Sequence, residues 1–247
     1  MNVGQGDAIL IRTPSQQKIL IDAGPAGAIL APLSRELNFW ERRIDLAVLT
    51  HPDADHVAGF VEILKRYEIG RILLTGVQPG SEWYREILRE IAARKIPTTL
   101  ANAATDFDFG GGVLLDIFWP TANLAGKFIE DTNAASVSAR LIFGKTAAIL
   151  TGDLDTDSEK IILENQPELH ARVLKLGHHG SKTSSSPEFI AAVQPEFAIV
   201  SASADNSFGH PSPETLARLD KSVQLLETSK LGSIHFESNG KTWQLEN

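Results

Sequence analysis

The chain has 247 residues, a formal net charge of −8, seven histidines and no cysteine. Without cysteine it can form neither a disulfide framework nor a thiolate metal site, so metal ligands would have to be His, Asp, Glu or Asn. No apolar run approaches the roughly 20 residues of a membrane-spanning helix, and the acidic balance disfavours non-specific binding to nucleic acid unless a bound cation reverses the local charge.

The first half of the chain alternates short apolar runs with amphipathic segments. Two strands, over residues 8–11 and 18–22, flank the turn Thr13-Pro14-Ser15 and predict an opening hairpin. Spacing of apolar residues then predicts helices over 28–38, 57–67 and 82–94, and strands over 46–49 and 71–74.

The second half repeats this alternation. Predicted strands cover 113–119, 135–143, 147–150, 173–176 and 197–200, and predicted helices cover 158–164, 187–193 and 213–220. A closing hairpin, 233–236 with 241–245, surrounds the turn signal Asn239-Gly240. Because no low-complexity linker separates the halves, we expect a single α/β domain over 1–247, made of two packed sheets that are each covered by helices.

One short run carries most of the chemical information. Directly after the apolar strand 46–49 comes His51-Pro52-Asp53-Ala54-Asp55-His56, which puts four metal-capable side chains within six positions. A buried strand brings its last residue to the sheet edge, where the following loop can turn these groups toward one point. An acidic pair alone is commonly a helix cap, but that interpretation does not explain a histidine at both ends.

Other strand ends carry the same kinds of residue. Gly152-Asp153 follows the strand 147–150, Gly177-His178-His179-Gly180 follows 173–176, and Gly209-His210 comes after 197–200. Each junction alone is typical of a turn, yet their repetition predicts a metal centre at one sheet edge. The other two histidines, His170 and His235, are predicted to be surface or strand residues.

These motifs resemble the metallo-β-lactamase superfamily. Together with Val3-Gly4-Gln5-Gly6-Asp7 and with Asn133 and Ser136, they are more narrowly similar to the lactamase-like domain at the C-terminal end of ComEC, the DNA-uptake channel of naturally competent bacteria. The resemblance spans essentially the whole chain and implies an αββα four-layer sandwich. Because the first motif begins almost at residue 1, it also implies a domain excised from a larger membrane protein, on the extracytoplasmic side of the bacterial cell membrane.

The resemblance also implies a ligand set for one or two divalent metal ions. The residues that it implies are His51, Asp53 and Asn133 at a first position, Asp55 and His56 at a second, Asp153 bridging both, and one of His178 and His179 completing the second. We favour His179 as that ligand. Asp53 and Asn133 stand where histidines are usual, and such an oxygen-rich set favours Mn²⁺, with Zn²⁺ as the alternative.

Two further carboxylates end or precede the predicted strands of the opening hairpin. Asp7 and Asp22 are predicted to brace the ligands through hydrogen bonds, or else simply to cap turns.

The implied activity is metal-assisted hydrolysis of DNA, with single strands as the expected partner and degradation of the strand that is not imported as the expected role. Asp55 and Asp153 would hold and orient the nucleophilic hydroxide, while His178 and His210 would bind the scissile phosphate or protonate the leaving oxygen. The loop that begins Gly180-Ser181-Lys182-Thr183 suits a phosphate, so Ser181, Lys182, Thr183 and His210 are predicted to bind substrate. The alternative for this loop is a flexible polar segment.

Three other functions fit the same residues. The site could hydrolyse a small phosphoester or thioester, because one fold hosts many chemistries. The changes at Asp53 and Asn133 also fit a pseudoenzyme that binds DNA without cutting it. Lastly, the chain could be a docking module for the rest of a channel.

Overall fold

The computed structural model describes residues 1–165 and 168–246. Its strands are β1 (Ile9–Arg12), β2 (Lys18–Ile21), β3 (Arg43–Ile44), β4 (Leu46–Leu49), β5 (Glu68–Ile69), β6 (Ile72–Leu74), β7 (Thr98–Leu100), β8 (Phe107–Asp108), β9 (Val113–Trp119), β10 (Ser138–Phe143), β11 (Thr146–Leu150), β12 (Val173–Lys175), β13 (Phe197–Val200), β14 (Gln224–Glu227), β15 (His235–Ser238) and β16 (Trp243–Glu246). Its α-helices are α1 (Leu30–Glu36), α2 (Ala54–Val57), α3 (Phe60–Arg66), α4 (Glu82–Arg94), α5 (Thr156–Asn165), α6 (Pro187–Val193), α7 (Pro213–Leu216) and α8 (Thr228–Leu231).

Two sheets form the centre of the molecule. The first has the order β1-β2-β4-β6-β7, in which only β1 runs antiparallel to its neighbour. The second has the order β14-β13-β12-β11-β10-β9-β8, with parallel pairing from β11 to β14 and antiparallel pairing from β8 to β11. Parallel strands must be covered on both faces, which explains why every residue of β4 and β11 is buried.

Three apolar layers hold these sheets together. Residues from both sheets, including Val48 and Leu115, pack in the layer between them. Helices α1, α3 and α4 cover the outer face of the first sheet, and α5 and α6 cover that of the second. The αββα four-layer sandwich expected from the resemblance is therefore confirmed.

The predicted helix over 57–67 is in fact two helices, α2 and α3. At the break, the Gly59 amide donates to the carbonyl of Gly24 at 2.9 Å instead of continuing the helical ladder. A Cβ atom at Gly59 would lie 2.0 Å from the carbonyl oxygen of Ala23, so only glycine permits this approach. The contact fixes the residues after β4 against the end of β2.

The other differences concern ends and short elements. The helices predicted over 28–38 and 213–220 shrink to α1 and α7, and the strand predicted over 135–143 begins only at Ser138, after a 3₁₀ turn (Thr132–Ala135). The sequence patterns did not predict five strands of two to four residues: β3, β5, β7, β8 and β14. Across the described ranges, the helices fall short of the length and apolar content needed to cross a bilayer, and α4 has 13 residues.

Strand direction places the chemically interesting segments at one edge of the sandwich. The parallel strands β2, β4, β11 and β12 all run toward this edge, and the segments holding Asp22, His51, Asp153 and His178-His179 follow them. The antiparallel strands β1 and β10 start there, so the segments before them, including Asp7, reach the same edge.

Candidate metal centre

Two imidazoles converge on one buried carboxylate. The Nε2 atoms of His56 and His179 lie 3.3 and 3.4 Å from the same Oδ2 of Asp153, and 3.4 Å from each other. All three side chains are almost completely buried. His56 follows a strand of the first sheet and the other two follow strands of the second, so the sandwich brings together residues far apart in sequence.

Asp55 lies on the more open side of this group. Its Oδ2 atom is 3.2 Å from Nε2 of His179 and 4.0 Å from Nε2 of His56. About a third of its side chain is exposed, in contrast to Asp153. Asp55 can therefore face both the buried imidazoles and a molecule arriving from solvent.

Two further carboxylates lie behind the imidazoles, on the side of their Nδ1 atoms. Asp22 contacts Nδ1 of His56 at 2.8 Å and accepts hydrogen bonds from the amide and hydroxyl of Thr50. Asp7 places Oδ1 3.6 Å from Nδ1 of His179. The structure shows the hydrogen bond that the predicted bracing role of Asp22 requires, and a carboxylate on Nδ1 would fix the ring and leave Nε2 free to bind a metal.

Asp7 also belongs to a close group of potential ligand atoms with His56, Asp153 and His179, all within 4.8 Å of one another. Its position on the Nδ1 side of both rings nevertheless suits an orienting group better than a ligand.

His51 occupies the neighbouring position. Its ring centroid is 4.2 Å from that of His56, and its Nδ1 atom contacts the hydroxyls of Thr50 and Ser136 at 3.0 and 3.2 Å. Its Nε2 atom is buried without a hydrogen-bond partner in the described ranges and lies 3.7 Å from Oδ2 of Asp53. His51 and Asp53 are thus brought together as predicted.

Asn133 is the predicted residue least connected to this group. It lies in the 3₁₀ turn beside Thr132, whose hydroxyl donates to Oδ1 of Asp53 at 2.6 Å. Within the described residues, the carboxamide of Asn133 makes no hydrogen bond. The turn is close to Asp53 through its neighbour, while Asn133 itself is partly exposed.

The consecutive residues His178 and His179 point to different places. Both have left-handed backbone angles, with φ of +46° and +54°, which are uncommon outside glycine and mark a constrained turn. His179 is buried in the group, whereas 30% of the His178 side chain is exposed and its Nε2 atom lies 4.0 Å from Asp153. This geometry agrees with our preference for His179 as the ligand.

His210 lies beside His178 and is partly exposed. The two ring centroids are 5.5 Å apart, and Nδ1 of His210 has no hydrogen-bond partner in the described part of the chain. His170 and His235 are exposed and apart from the group, as predicted.

The loop after His179 is held in place. Its backbone amides at Ser185 and Ser186 donate to the buried carboxylate of Glu159 at 2.6 and 2.7 Å. These two bonds tie the C-terminal end of the loop to α5. Lys182 and Thr183 are exposed.

The position of Ser181 differs from the predicted one. We predicted a substrate contact, but this side chain is 5% exposed and its hydroxyl contacts the side chain and backbone amide of Thr183. Because the hydroxyl is used inside the loop, Ser181 supports the loop rather than facing substrate.

Lys175 is a component that the motifs do not predict. Its buried ammonium group forms an ion pair with Asp7, lies 3.5 Å from Oδ1 of Asp153, and donates to the carbonyl of Gly152 at 2.8 Å. It compensates part of the negative charge that the carboxylates concentrate here. The available signal was a lysine at the end of an otherwise apolar strand.

The charged groups at this site shift the pKa values of its histidines and of Asp153. Burial lowers the pKa of His179, but the carboxylates of Asp153, Asp55 and Asp7 outweigh burial and raise it to about 9. Burial likewise opposes the charged form of His56, and Asp153 and Asp22 raise its pKa well above the usual value. For Asp153, burial is outweighed by His179, His56 and Lys175, which lower its pKa.

These residues fit a divalent cation. Oxygen and imidazole donors of Asp7, His56, Asp153 and His179 lie within 4.8 Å of one another, and the buried Nε2 atom of His51 has no hydrogen-bond partner among the described residues. Buried polar atoms are normally satisfied, so this unpartnered atom beside the group indicates a missing partner. Three imidazoles with several carboxylates suit Zn²⁺ or Mn²⁺.

Two curated proteins are similar to this chain in sequence. Competence protein ComA of Neisseria gonorrhoeae is 33% identical over 95% of this chain and 31% of its own length. ComE operon protein 3 of Bacillus subtilis (strain 168) is 29% identical over 96% of this chain and 32% of its own length. The chain therefore spans about a third of the length of these curated relatives.

A solved structure supports the fold. The metallo-beta-lactamase fold protein YhfI from Bacillus subtilis matches with a TM-score of 0.58 and 12% identity, over 90% of this chain and 88% of that chain. A family model described as "Metallo-beta-lactamase superfamily" matches residues 1–204. With its fold and its buried His and Asp residues at one sheet edge, the chain belongs to the metallo-beta-lactamase superfamily.

Proposed function

We propose that this chain is a metal-dependent nuclease domain that hydrolyses single-stranded DNA and degrades the strand that is not imported during natural transformation. The observation that carries the proposal is the convergence of His56 and His179 on Asp153, with Asp55 at the open side. The relative named Competence protein ComA supplies the link to DNA uptake. The fold alone would not choose a substrate.

The ligand set belongs to the same proposal. The residues that would hold the cation or cations are His51, Asp53, Asp55, His56, Asp153 and His179, with Asn133 able to join at the first position. When bound, the cation supplies a water that ionises near neutral pH and a positive charge for the phosphate oxygens. Mn²⁺ is favoured because Asp53 and Asn133 supply oxygen donors where histidines are usual, and Zn²⁺ is the alternative.

The remaining residues act on substrate. Asp55 reaches both the buried group and solvent, so it would orient the attacking water. His178 and His210 lie next to each other on the open side, where they would bind the scissile phosphate or donate a proton to the leaving oxygen. Lys182 and Thr183 are exposed and would contact neighbouring phosphates from a loop whose far end is tied to Glu159.

The proposal includes a larger protein around this domain. Because the chain spans about a third of its curated relatives, we propose that it works as one domain of a channel in the bacterial cell membrane, on the extracytoplasmic side.

Cleavage of end-labelled single-stranded DNA with Mn²⁺ tests the proposal. Asp55→Ala and His56→Ala should reduce cleavage by more than about 100-fold, because changes behind a metal ligand alone commonly remove 10- to 100-fold. His210→Ala should retain the metal on elemental analysis and cut more slowly. His170→Ala is the matched control, since that residue is exposed and apart from the group, and should match the parent.

Two results would decide against a nuclease. Parent protein that carries metal and hydrolyses a small phosphoester or thioester but leaves DNA intact would replace the proposed substrate. Parent protein that binds DNA without cutting any substrate would indicate a pseudoenzyme.

A further inference from the structure

An exposed aromatic ring lies next to the open side of the metal centre. Phe208 is 68% exposed, and its ring stacks on that of His210 with a centroid distance of 5.9 Å and an interplanar angle of 15°. His210 in turn lies beside His178, which borders the buried group. A continuous path of rings therefore leads from solvent to the predicted position of the scissile phosphate.

The loop that carries Phe208 is held by one side chain. The carboxamide of Asn206 accepts from the amide of His210 at 2.9 Å and donates to the carbonyls of Ser203 and His210, each at 2.7 Å. These bonds close the loop around Phe208. An aromatic ring on an already ordered loop loses little conformational entropy when it binds a partner.

Single exposed apolar side chains are common, so exposure alone does not indicate a binding site and the neighbours of Phe208 have to be considered. Other large apolar side chains in the described ranges are exposed as well, among them Phe39 at 77%. Of these, Phe208 is the one that stacks on a ring of the candidate site. Much of the Phe208 ring is open to solvent, and it lies beside His210, which is predicted to bind the scissile phosphate.

We infer that Phe208 is a stacking platform for an unpaired nucleobase next to the scissile phosphate. The inference rests on the proposed nuclease function and adds a subsite to it. Aromatic rings that face solvent beside a phosphate-binding site bind single strands by stacking on bases, which tolerates any sequence because every base has a π face. A paired base within a duplex could not use this face.

The test compares two substrates, an oligonucleotide with bases and a phosphodiester chain without them. The Mn²⁺-loaded protein is given oligothymidylate or an abasic phosphodiester chain of equal length. Phe208→Ala should lower kcat/KM about tenfold on oligothymidylate, the loss expected from one base stack, and leave the abasic chain unaffected. Phe208→Trp should retain the parent value. Phe39→Ala, which removes an exposed ring after α1, at the opposite end of the sheet, should change neither.

Binding gives an independent measurement. By fluorescence anisotropy, Phe208→Ala should bind oligothymidylate about tenfold more weakly than the parent. Equal losses on both chains, or no loss on either, would overturn the subsite. If the parent cuts neither chain, the nuclease proposal fails, and the anisotropy comparison alone decides whether Phe208 stacks on bases.

Discussion

At the residue scale, protonation of two imidazoles should oppose metal binding at this site. Without metal, the carboxylates around His56 and His179 favour the charged imidazolium, with a pKa of about 9 for His179. An imidazole must be neutral to bind a metal, so metal binding has to displace the extra protons of His56 and His179. Below pH 9, the apparent metal affinity should rise with pH.

Calorimetry measures this directly. Titration of Mn²⁺ into metal-free protein at pH 7, in buffers of different ionisation enthalpy, should report at least one proton released per metal bound. Affinity that is the same at pH 6.5 and pH 8.5 would contradict the assigned protonation.

Lys175 should be important for stability because its buried ammonium group forms an ion pair with Asp7 and lies close to Asp153. Lys175→Met leaves Asp7 and Asp153 without this partner, and removal of one member of a buried ion pair destabilises a protein by about 3–5 kcal/mol. Urea unfolding of the metal-free protein measures the change. Lys182→Met, at an exposed position, should alter the free energy of unfolding by less than about 0.5 kcal/mol. Equal effects would argue against the ion pair.

At the scale of elements, a close backbone approach positions the segment before β1. A Cβ atom at Gly6 would lie 2.0 Å from the carbonyl oxygen of Asp55, and φ at Gly6 is +124°. Gly6→Ala should therefore destabilise the protein by more than about 1 kcal/mol. Gly80→Ala, where no atom lies within 4 Å of the added Cβ, is the control, and thermal unfolding compares the two. If Gly6→Ala left the stability unchanged, the close approach of Gly6 to the carbonyl of Asp55 would not be what positions Asp7.

Strands and helices with strong apolar periodicity were predicted well, and α4, α6, β9 and β13 have the predicted bounds. Short strands such as β3 and β7 were not, because two or three residues carry no periodicity and their pairing depends on distant partners. The candidate ligands at strand ends could be predicted because apolar periodicity locates each strand and therefore the residues that directly follow it. Lys175 and Glu159 were missed because their roles depend on which loops and strands become neighbours.

At the scale of the whole molecule, the site joins the two sheets. His56 comes from the first sheet, and Asp153 and His179 come from the second. A metal held by both halves should stabilise the folded state by about 2.7 kcal/mol at 100 times its Kd, which corresponds to a rise in Tm of about 5–11 °C for a chain of this size.

Differential scanning fluorimetry with and without Mn²⁺ measures this rise. His56→Ala and Asp153→Asn should each abolish it, although they lie on different sheets. Asp157→Asn, an exposed carboxylate on α5, should retain it. If Mn²⁺ still raised the Tm of both site variants, the metal would bind elsewhere.

The central claim is that residues from both sheets bind a common divalent cation. Anomalous diffraction from crystals soaked in Mn²⁺ tests it most directly. We predict a strong anomalous peak bonded to Nε2 of His56, Nε2 of His179 and a carboxylate oxygen of Asp153. A soaked crystal without a peak at this position, or with peaks only at surface carboxylates, would contradict the account.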